Sequence, residues 1–467
     1  MPCVALNAVA LGYQLLWDRC RCACAVRLFV GALAGHRLDA AQLLDALPSH
    51  ESPLLLSIHS NTLLHELLHQ APQPNIWIEV PERALHDTRT QTQVRRAHQR
   101  GHRLVWCGEP GQHPMAALAD CFHKQMRSLT PEESLRALRA TMYRPVPSAK
   151  QGWIPSPIQS GQIYDALANR ALLAHALDDQ NAWALVGWPT DDVLFAQNPK
   201  VVAPCRKTML ATLRALENDT SMDGVEHALG QDPVLVYRFL RFANSAGLAR
   251  VAEVQSLRHG LMVLGYTTLQ QWLVAQLPVA STDNALSPIR TTLVMRAQLM
   301  ANLLQPGDED ALRREIYLCG VLSQIDILLD EGLPAALQRV PLPGRISSAV
   351  LNHSGPYACY LRTAIMLESR PSAAGQKLLE TQRMSPAEVN QALLKTVTNV
   401  LQKSKQLAES ESAFQPVLPL NDKTNSPAVQ VQAQALAKAH TAYKTDTTRA
   451  TTSQTSTRPS PPTWSQA

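Results

Sequence analysis

The stretch Asp232-Pro233-Val234-Leu235-Val236-Tyr237-Arg238-Phe239-Leu240-Arg241-Phe242-Ala243-Asn244-Ser245-Ala246-Gly247 decides how the middle of this chain folds. Asp232 suits a helix N-cap, with Pro233 at the first helical position, where a missing N–H costs nothing. Leu235, Val236, Phe239, Leu240 and Ala243 recur at helical spacing and line one face. Gly247 stands where a C-terminal cap belongs. Working outward, Ser256 starts another short helix that Gly265 ends, and Thr268 starts a third. Short helices with tight turns predict an all-α domain over residues 199–402.

Upstream, the pattern changes period. Leu54-Leu55-Leu56-Ser57-Ile58 and Asn75-Ile76-Trp77-Ile78-Glu79-Val80 are short apolar runs bounded by Pro53, Pro74 and Pro81. Arg103-Leu104-Val105-Trp106-Cys107 follows Gly101. These read as buried strands, with helical patterns over 61–70 and 89–100 between them. Alternating strands and helices predict βα units and a parallel sheet over residues 1–198. Residues 144–160, punctuated by Pro145, Pro147, Pro155 and Pro157, read as a loop-like insertion. Residues 403–467 end in a Thr-, Ser-, Pro- and Gln-rich run that cannot bury enough apolar surface to offset its ordering entropy. They read as a disordered tail, with residues 430–440 a transient helix.

Composition fits that plan. The chain has 467 residues, 45% hydrophobic and 17% charged, so a wholly disordered protein is excluded. A net charge of +5 is short of a nucleic-acid binder's concentrated field, and 5% aromatics argue against a stacking platform. The apolar run 22–35 is broken by Arg27, and no span of about 18 apolar residues predicts a membrane helix. Nine thinly spread cysteines and an N-terminus without a basic n-region predict reduced thiols in the cytoplasm. Cys20, Cys22 and Cys24 lack a second pair at zinc spacing and read as thiols.

The helical stretch resembles the HDOD domain, the HD-related output domain of bacterial signalling proteins. The resemblance is carried by Asp232-Pro233-x-Leu235, Leu240-Arg241-x-x-Asn244-Ser245-Ala246, Ser256-Leu257, Leu261 and Leu264-Gly265. Arg296-Ala297, Gly320-x-x-Ser323-x-x-Asp326, Leu342-Pro343, Gly355-Pro356 and Glu368 continue it. Gly260 replaces the usual alanine, and an interior glycine costs a helix about 1 kcal/mol. Catalytic HD hydrolases place a His-Asp pair where Ser323-Gln324 stands, and an upstream histidine near Thr291-Thr292. The resemblance therefore implies a non-catalytic domain in which Asp232, Pro233, Asn244, Ser245, Gly265, Ser323 and Asp326 are structural or interaction residues. Asn244 and Ser245 read as caps. Ser323 and Asp326, three apart, read as one helix face bonded to a neighbouring turn.

The first region is similar to a degenerate EAL domain, a (β/α) barrel-type fold whose active members hydrolyse cyclic di-GMP with metals held by acidic residues at strand ends. Gly12-Tyr13-Gln14-Leu15-Leu16-Trp17 aligns with the signature, Gln14 replacing its glutamate and Asp18 its arginine. Glu79-Val80-Pro81-Glu82 matches the second acidic motif. Cys107 and Gly108 stand for the paired aspartates, and Ser57 for the metal-binding asparagine. Two divalent ions need several hard anionic oxygens each. Glu79 and Glu82 alone are a vestige, so no catalytic, cofactor or metal residue is assigned and the chain is expected not to be an enzyme. Glu79 reads as a strand-end residue with local hydrogen bonds.

His65-Glu66-Leu67-Leu68-His69 matches H-E-x-x-H, which on a helix would set two imidazoles on one zinc. Pro72 and Asn75 break the longer zinc-peptidase continuation. Leu63, Leu64, Leu67 and Leu68 form an apolar face, and the two histidines and Glu66 read as solvent-facing. The basic cluster Arg95, Arg96, Arg100 and Arg103 reads as a solvated helix end.

These readings converge on a cytoplasmic signalling protein that works by contact. Its implied partners are signalling proteins, a second copy of this chain among them, not nucleic acid or membrane. The alternatives are a cyclic di-GMP receptor, disfavoured by Asp18, or a residual metal-dependent hydrolase.

Overall fold

A computed structural model describes residues 4–49, 51–142, 155–197, 201–218, 220–245, 253–305, 307 and 309–412. Gly247, most of the 144–160 insertion and the tail beyond 412 lie outside the described residues.

Eight strands close into a barrel. They are β1 (Val9–Trp17), β2 (Ala23–Ala32), β3 (Leu54–Ile58), β4 (Ile76–Pro81), β5 (Arg103–Cys107), β6 (Lys124–Ser128), β7 (Ile163–Asp165) and β8 (Ala184–Val186). β1 runs antiparallel to both its neighbours, β2 and β8; the other pairs are parallel. The three apolar runs legible in the sequence are β3, β4 and β5. Helices α1 (Ala40–Ala46), α2 (Asn61–His69), α3 (Thr88–Gln99), α4 (Pro131–Met142) and α5 (Arg170–Ala174) lie between successive strands, a short 3-10 turn (Ala119–Cys121) lies between β5 and β6, and α6 (Thr190–Phe195) follows β8.

The two-residue period of a strand sorts the core. Leu16, Ala25, Leu55, Trp77, Val105, Met126, Ile163 and Val186 point inward and fill the barrel as one cluster. Leu54, Leu56, Ile76, Ile78 and Leu104 point outward into a second. Because β1 and β2 form a hairpin, no crossover helix covers their outer face.

The helical region supplies that cover. It comprises α7 (Arg206–Glu217), α8 (Met222–Leu229), α9 (Pro233–Ala243), α10 (Leu257–Gln276), α11 (Ser287–Asn302), α12 (Asp310–Leu322), α13 (Asp326–Leu329), α14 (Leu333–Gln338), α15 (Gly344–Asn352), α16 (Ala358–Leu367), α17 (Ala373–Gln382) and α18 (Pro386–Ser412). α16 packs on β1, and α18 on β1 and β2. The buried Asn390 of α18 donates to the carbonyls of Leu6 (2.9 Å) and Val9 (2.7 Å). Outer barrel and helical region therefore share one hydrophobic core.

The quoted stretch folds as its caps dictate. Asp232 Oδ1 accepts from the amides of Val234 (2.8 Å) and Leu235 (3.4 Å), with Pro233 first in α9. Gly265 breaks the helix as expected: at φ 71°, ψ 166° its backbone is non-helical, and the two helical halves of α10 meet there across a kink. Three sequence readings are corrected. Gly260 does more than weaken that helix, since a Cβ there would stand 2.6 Å from Phe239 Cε1. Ser323 and Asp326 do not share a helix, because residues 323–325 turn between α12 and α13. The expected tail boundary at 403 falls inside α18, whose polar 403–412 stretch continues the helix to Ser412.

Candidate functional site

The barrel brings the degenerate EAL positions together. Continuing the inward alternation from Leu16, Ala25, Leu55, Trp77, Val105 and Ile163 adds Gln14, Arg27, Ser57, Glu79, Cys107 and Asp165 as the next layer. That layer sits at the C-terminal ends of the parallel strands, the mouth where barrels of this architecture carry their chemistry.

At its centre is a guanidinium. Arg27 Nε donates to Glu79 Oε2 at 2.8 Å and Nη2 to Oε1 at 2.6 Å, a bidentate pair. Both side chains are almost wholly buried, 3% and 6% exposed. Arg27 Nη1 lies 3.5 Å from Gln14 Oε1 and 3.9 Å from Asp165 Oδ2. Burial disfavours the Arg27 charge, but Glu79 more than restores it, so its pKa lies above the ordinary arginine value. Burial raises Asp165 against the pull of Arg27. Burial, then the charge of Glu79, pushes the Cys107 thiol up to about 12, so it is protonated at neutral pH. Ser57 is buried in the same layer.

The sequence expectation of local hydrogen bonds for Glu79 is overturned, since its partner lies 52 residues away. Glu82 is not in the layer. It opens a 3-10 turn, Glu82–His86, and accepts from Trp106 Nε1. Gly108 has no room for a side chain, because a Cβ would meet the Trp106 ring at 2.4 Å.

The two H-E-x-x-H histidines look toward α3, and Glu66 pairs with Arg37 at 3.2 Å instead of joining them. His65 Nε2 lies 2.7 Å from Thr90 Oγ1, and His69 Nε2 3.1 Å from Gln93 Nε2. His65 is half-buried, so its solvent-facing reading is corrected; the four leucines are buried as expected. Among the described residues no group of three His, Cys, Asp or Glu side chains converges as metal ligands.

A second buried arginine organises the helical region. Arg296 of α11 pairs bidentately with Glu368, Nε–Oε1 2.6 Å and Nη2–Oε2 2.7 Å. Its Nη1 donates to Ser323 Oγ at 3.2 Å, and that hydroxyl donates to the Gly320 carbonyl at 2.7 Å. Gly320 is required there, since a Cβ would stand 2.5 Å from Ala297 Cα. Burial raises the Asp326 carboxyl above its ordinary range despite nearby backbone amides. Asp232, fully buried, also accepts from the Cys205 amide and lies 3.8 Å from Arg290 Nε. Asn244 clamps residue 254: its Nδ2 donates to the Leu240 and Val254 carbonyls, and its Oδ1 accepts from the Val254 amide. The Ser245 amide donates to the Phe242 carbonyl at 3.0 Å.

Sequence reasoning missed Arg27 and Asp165 as site residues. Arg27 carried a signal, a lone charge within an apolar run. Asp165 carried none, because β7 is only three residues long.

The HDOD domain family matches residues 204–340, within the helical region. The cyclic di-GMP phosphodiesterase CdgJ of Vibrio cholerae is 28% identical over 139 residues, 29% of this chain and 32% of that protein. The uncharacterized protein YuxH of Bacillus subtilis is 26% identical over 149 residues, 31% of this chain and 36% of that protein. The chain thus spans about a third of the length of these curated relatives. The solved MmoQ response regulator of Methylococcus capsulatus aligns at 17% identity and a TM-score of 0.23, covering 44% of this chain and 75% of that one. Residues 204–340 therefore match an HDOD domain of the kind found in signal-transduction proteins.

Proposed function

We propose that the chain is a non-catalytic, cytoplasmic signal-transduction protein in which an inactive EAL-like barrel is coupled to an HDOD output domain that works through protein–protein contacts. One observation carries this reading. Both oxygens of Glu79, one of two acidic residues in the central layer, are taken by the Arg27 guanidinium. A phosphodiesterase of this kind needs carboxylates converging on divalent ions. Here a resident side chain supplies the positive charge. Gln14, Ser57 and Cys107 add neutral groups around it. Arg27 cannot lose its charge at any physiological pH, so the centre cannot be cleared by deprotonation.

A second reading, hydrolysis or binding of cyclic di-GMP, is favoured by the name of the Vibrio cholerae relative. Incubating purified protein with cyclic di-GMP and Mn²⁺ or Mg²⁺ separates the two. The expected outcome is no linear dinucleotide. Metal-dependent turnover that Glu79→Gln abolishes would overturn the proposal.

A further inference from the structure

The turn after α16 lies across the mouth of the barrel. Gly12 of β1 and Gly31 of β2 belong to the inward register of Leu16 and Ala25. A Cβ on Gly12 would stand 1.9 Å from the Ser369 carbonyl oxygen, and one on Gly31 3.7 Å from Pro371 Cβ. Gly12 thus vacates the space that the Ser369 carbonyl enters, and Pro371 packs in van der Waals contact beside Gly31. Between them, the Arg370 guanidinium lies over the Phe29 ring, 5.2 Å from its centroid. Its Nη1 is 3.4 Å from His59 Nε2, just beyond β3. Arg27 lies 5.0 Å from the same Phe29 ring.

The charges fit this occupant. Glu79 and Asp165 place two carboxyl groups in the mouth, and Arg27 pairs bidentately with Glu79 and lies 3.9 Å from Asp165. Arg370 draws the Asp165 carboxyl toward ionisation, opposing its burial. Immediately before the turn, Glu368 is held by Arg296 in the helical core. Four consecutive residues therefore join the two buried arginine centres, one in each domain.

We infer that Ser369-Arg370-Pro371 is the resident ligand of the barrel mouth, an intramolecular latch through which barrel and HDOD domain are coupled. This deepens the non-catalytic reading and rests on it: the surface that would receive a substrate receives a guanidinium-bearing turn of the same chain. An anionic nucleotide would have to displace that turn and then lie beside two carboxyl groups with a single guanidinium between them.

The full chain carrying Gly31→Cys and Pro371→Cys tests the latch. The 3.7 Å separation falls in the range of about 3.5–4.5 Å that disulfides span. Mild diamide oxidation is expected to join the two introduced thiols, as seen by non-reducing peptide mapping, which separates this link from the native cysteines. Arg370→Ala, checked as folded by circular dichroism, is expected to speed amide exchange in β1–β2 and in α16–α17 about tenfold, and the disulfide is expected to slow it. Introduced thiols that stay unlinked yet label with maleimide overturn the latch. So does Arg370→Ala with unchanged exchange in both segments. Turnover of cyclic di-GMP by the unmodified chain would instead sink the non-catalytic reading, and the crosslink would be unaffected by it.

Discussion

At the scale of the residue, the barrel centre depends on one ion pair whose halves are not interchangeable with their neighbours. Glu79→Gln leaves the Arg27 charge buried and without its carboxylate, which costs about 3–5 kcal/mol. Urea unfolding is expected to show this as a large fall in midpoint. Asp165→Asn behaves differently. The folded pKa of Asp165 is raised by burial, so its contribution is present below the ordinary carboxylate pKa and lost as pH rises through the folded value. The stability of the Asn variant relative to the parent is therefore expected to improve as pH rises through that window. Unfolding midpoints measured at several pH values check the sign. How much of this was legible divides cleanly by residue. Ser57, Glu79 and Cys107 lay on runs legible as strands, but they and Gln14 were singled out only through the resemblance to an EAL domain. Arg27 was visible only as an interruption of an apolar run, and what it pairs with is set by barrel closure between β2 and β4. Closure is a tertiary property that no local window contains.

Elements show the same division. The N-caps at Asp232 and Ser256 were readable because a cap is a short-range hydrogen bond. Of the two glycines of α10, Gly265 was readable as a helix breaker, whereas the steric role of Gly260 was not readable. Gly260 lies against Phe239, whose ring packs edge-on to Trp272 with centroids 6.1 Å apart. Gly260→Ala would gain about 1 kcal/mol of helix propensity. Overpacking the buried ring costs about 1–3 kcal/mol, so a net loss of stability is expected. Gly265 has open space around it but a backbone that residues with side chains rarely adopt. Gly265→Ala is expected to cost about 1–3 kcal/mol through strain alone. Chemical denaturation of both variants separates the causes when Gly260→Ala is repeated with Phe239→Leu. The smaller side chain relieves the first penalty and leaves that of Gly265→Ala unchanged.

For the whole molecule, composition and period divided the chain into an α/β part and an all-α part, and that division is real. What they could not convey is that the parts share a core. The hairpin β1–β2 leaves a barrel face without a crossover helix, and α16 and α18 close it. Asn390 adds two buried hydrogen bonds to the N-terminal backbone. Such a seam makes unfolding one cooperative event rather than two. Trp17, Trp77, Trp106, Trp183 and Trp188 belong to the barrel and its immediate flank, so tryptophan fluorescence reports mainly on that part. Ellipticity at the helical minimum reports mainly on α7 to α18. The two signals are expected to melt at the same urea concentration. Asn390→Leu strands two buried carbonyls and costs about 3 kcal/mol, and it is expected to lower both midpoints together. Separate transitions in the unmodified chain would mean that the seam does not hold in solution. An Asn390→Leu chain whose barrel signal alone shifts would place the cooperative unit inside the barrel and leave the HDOD domain to fold independently of it.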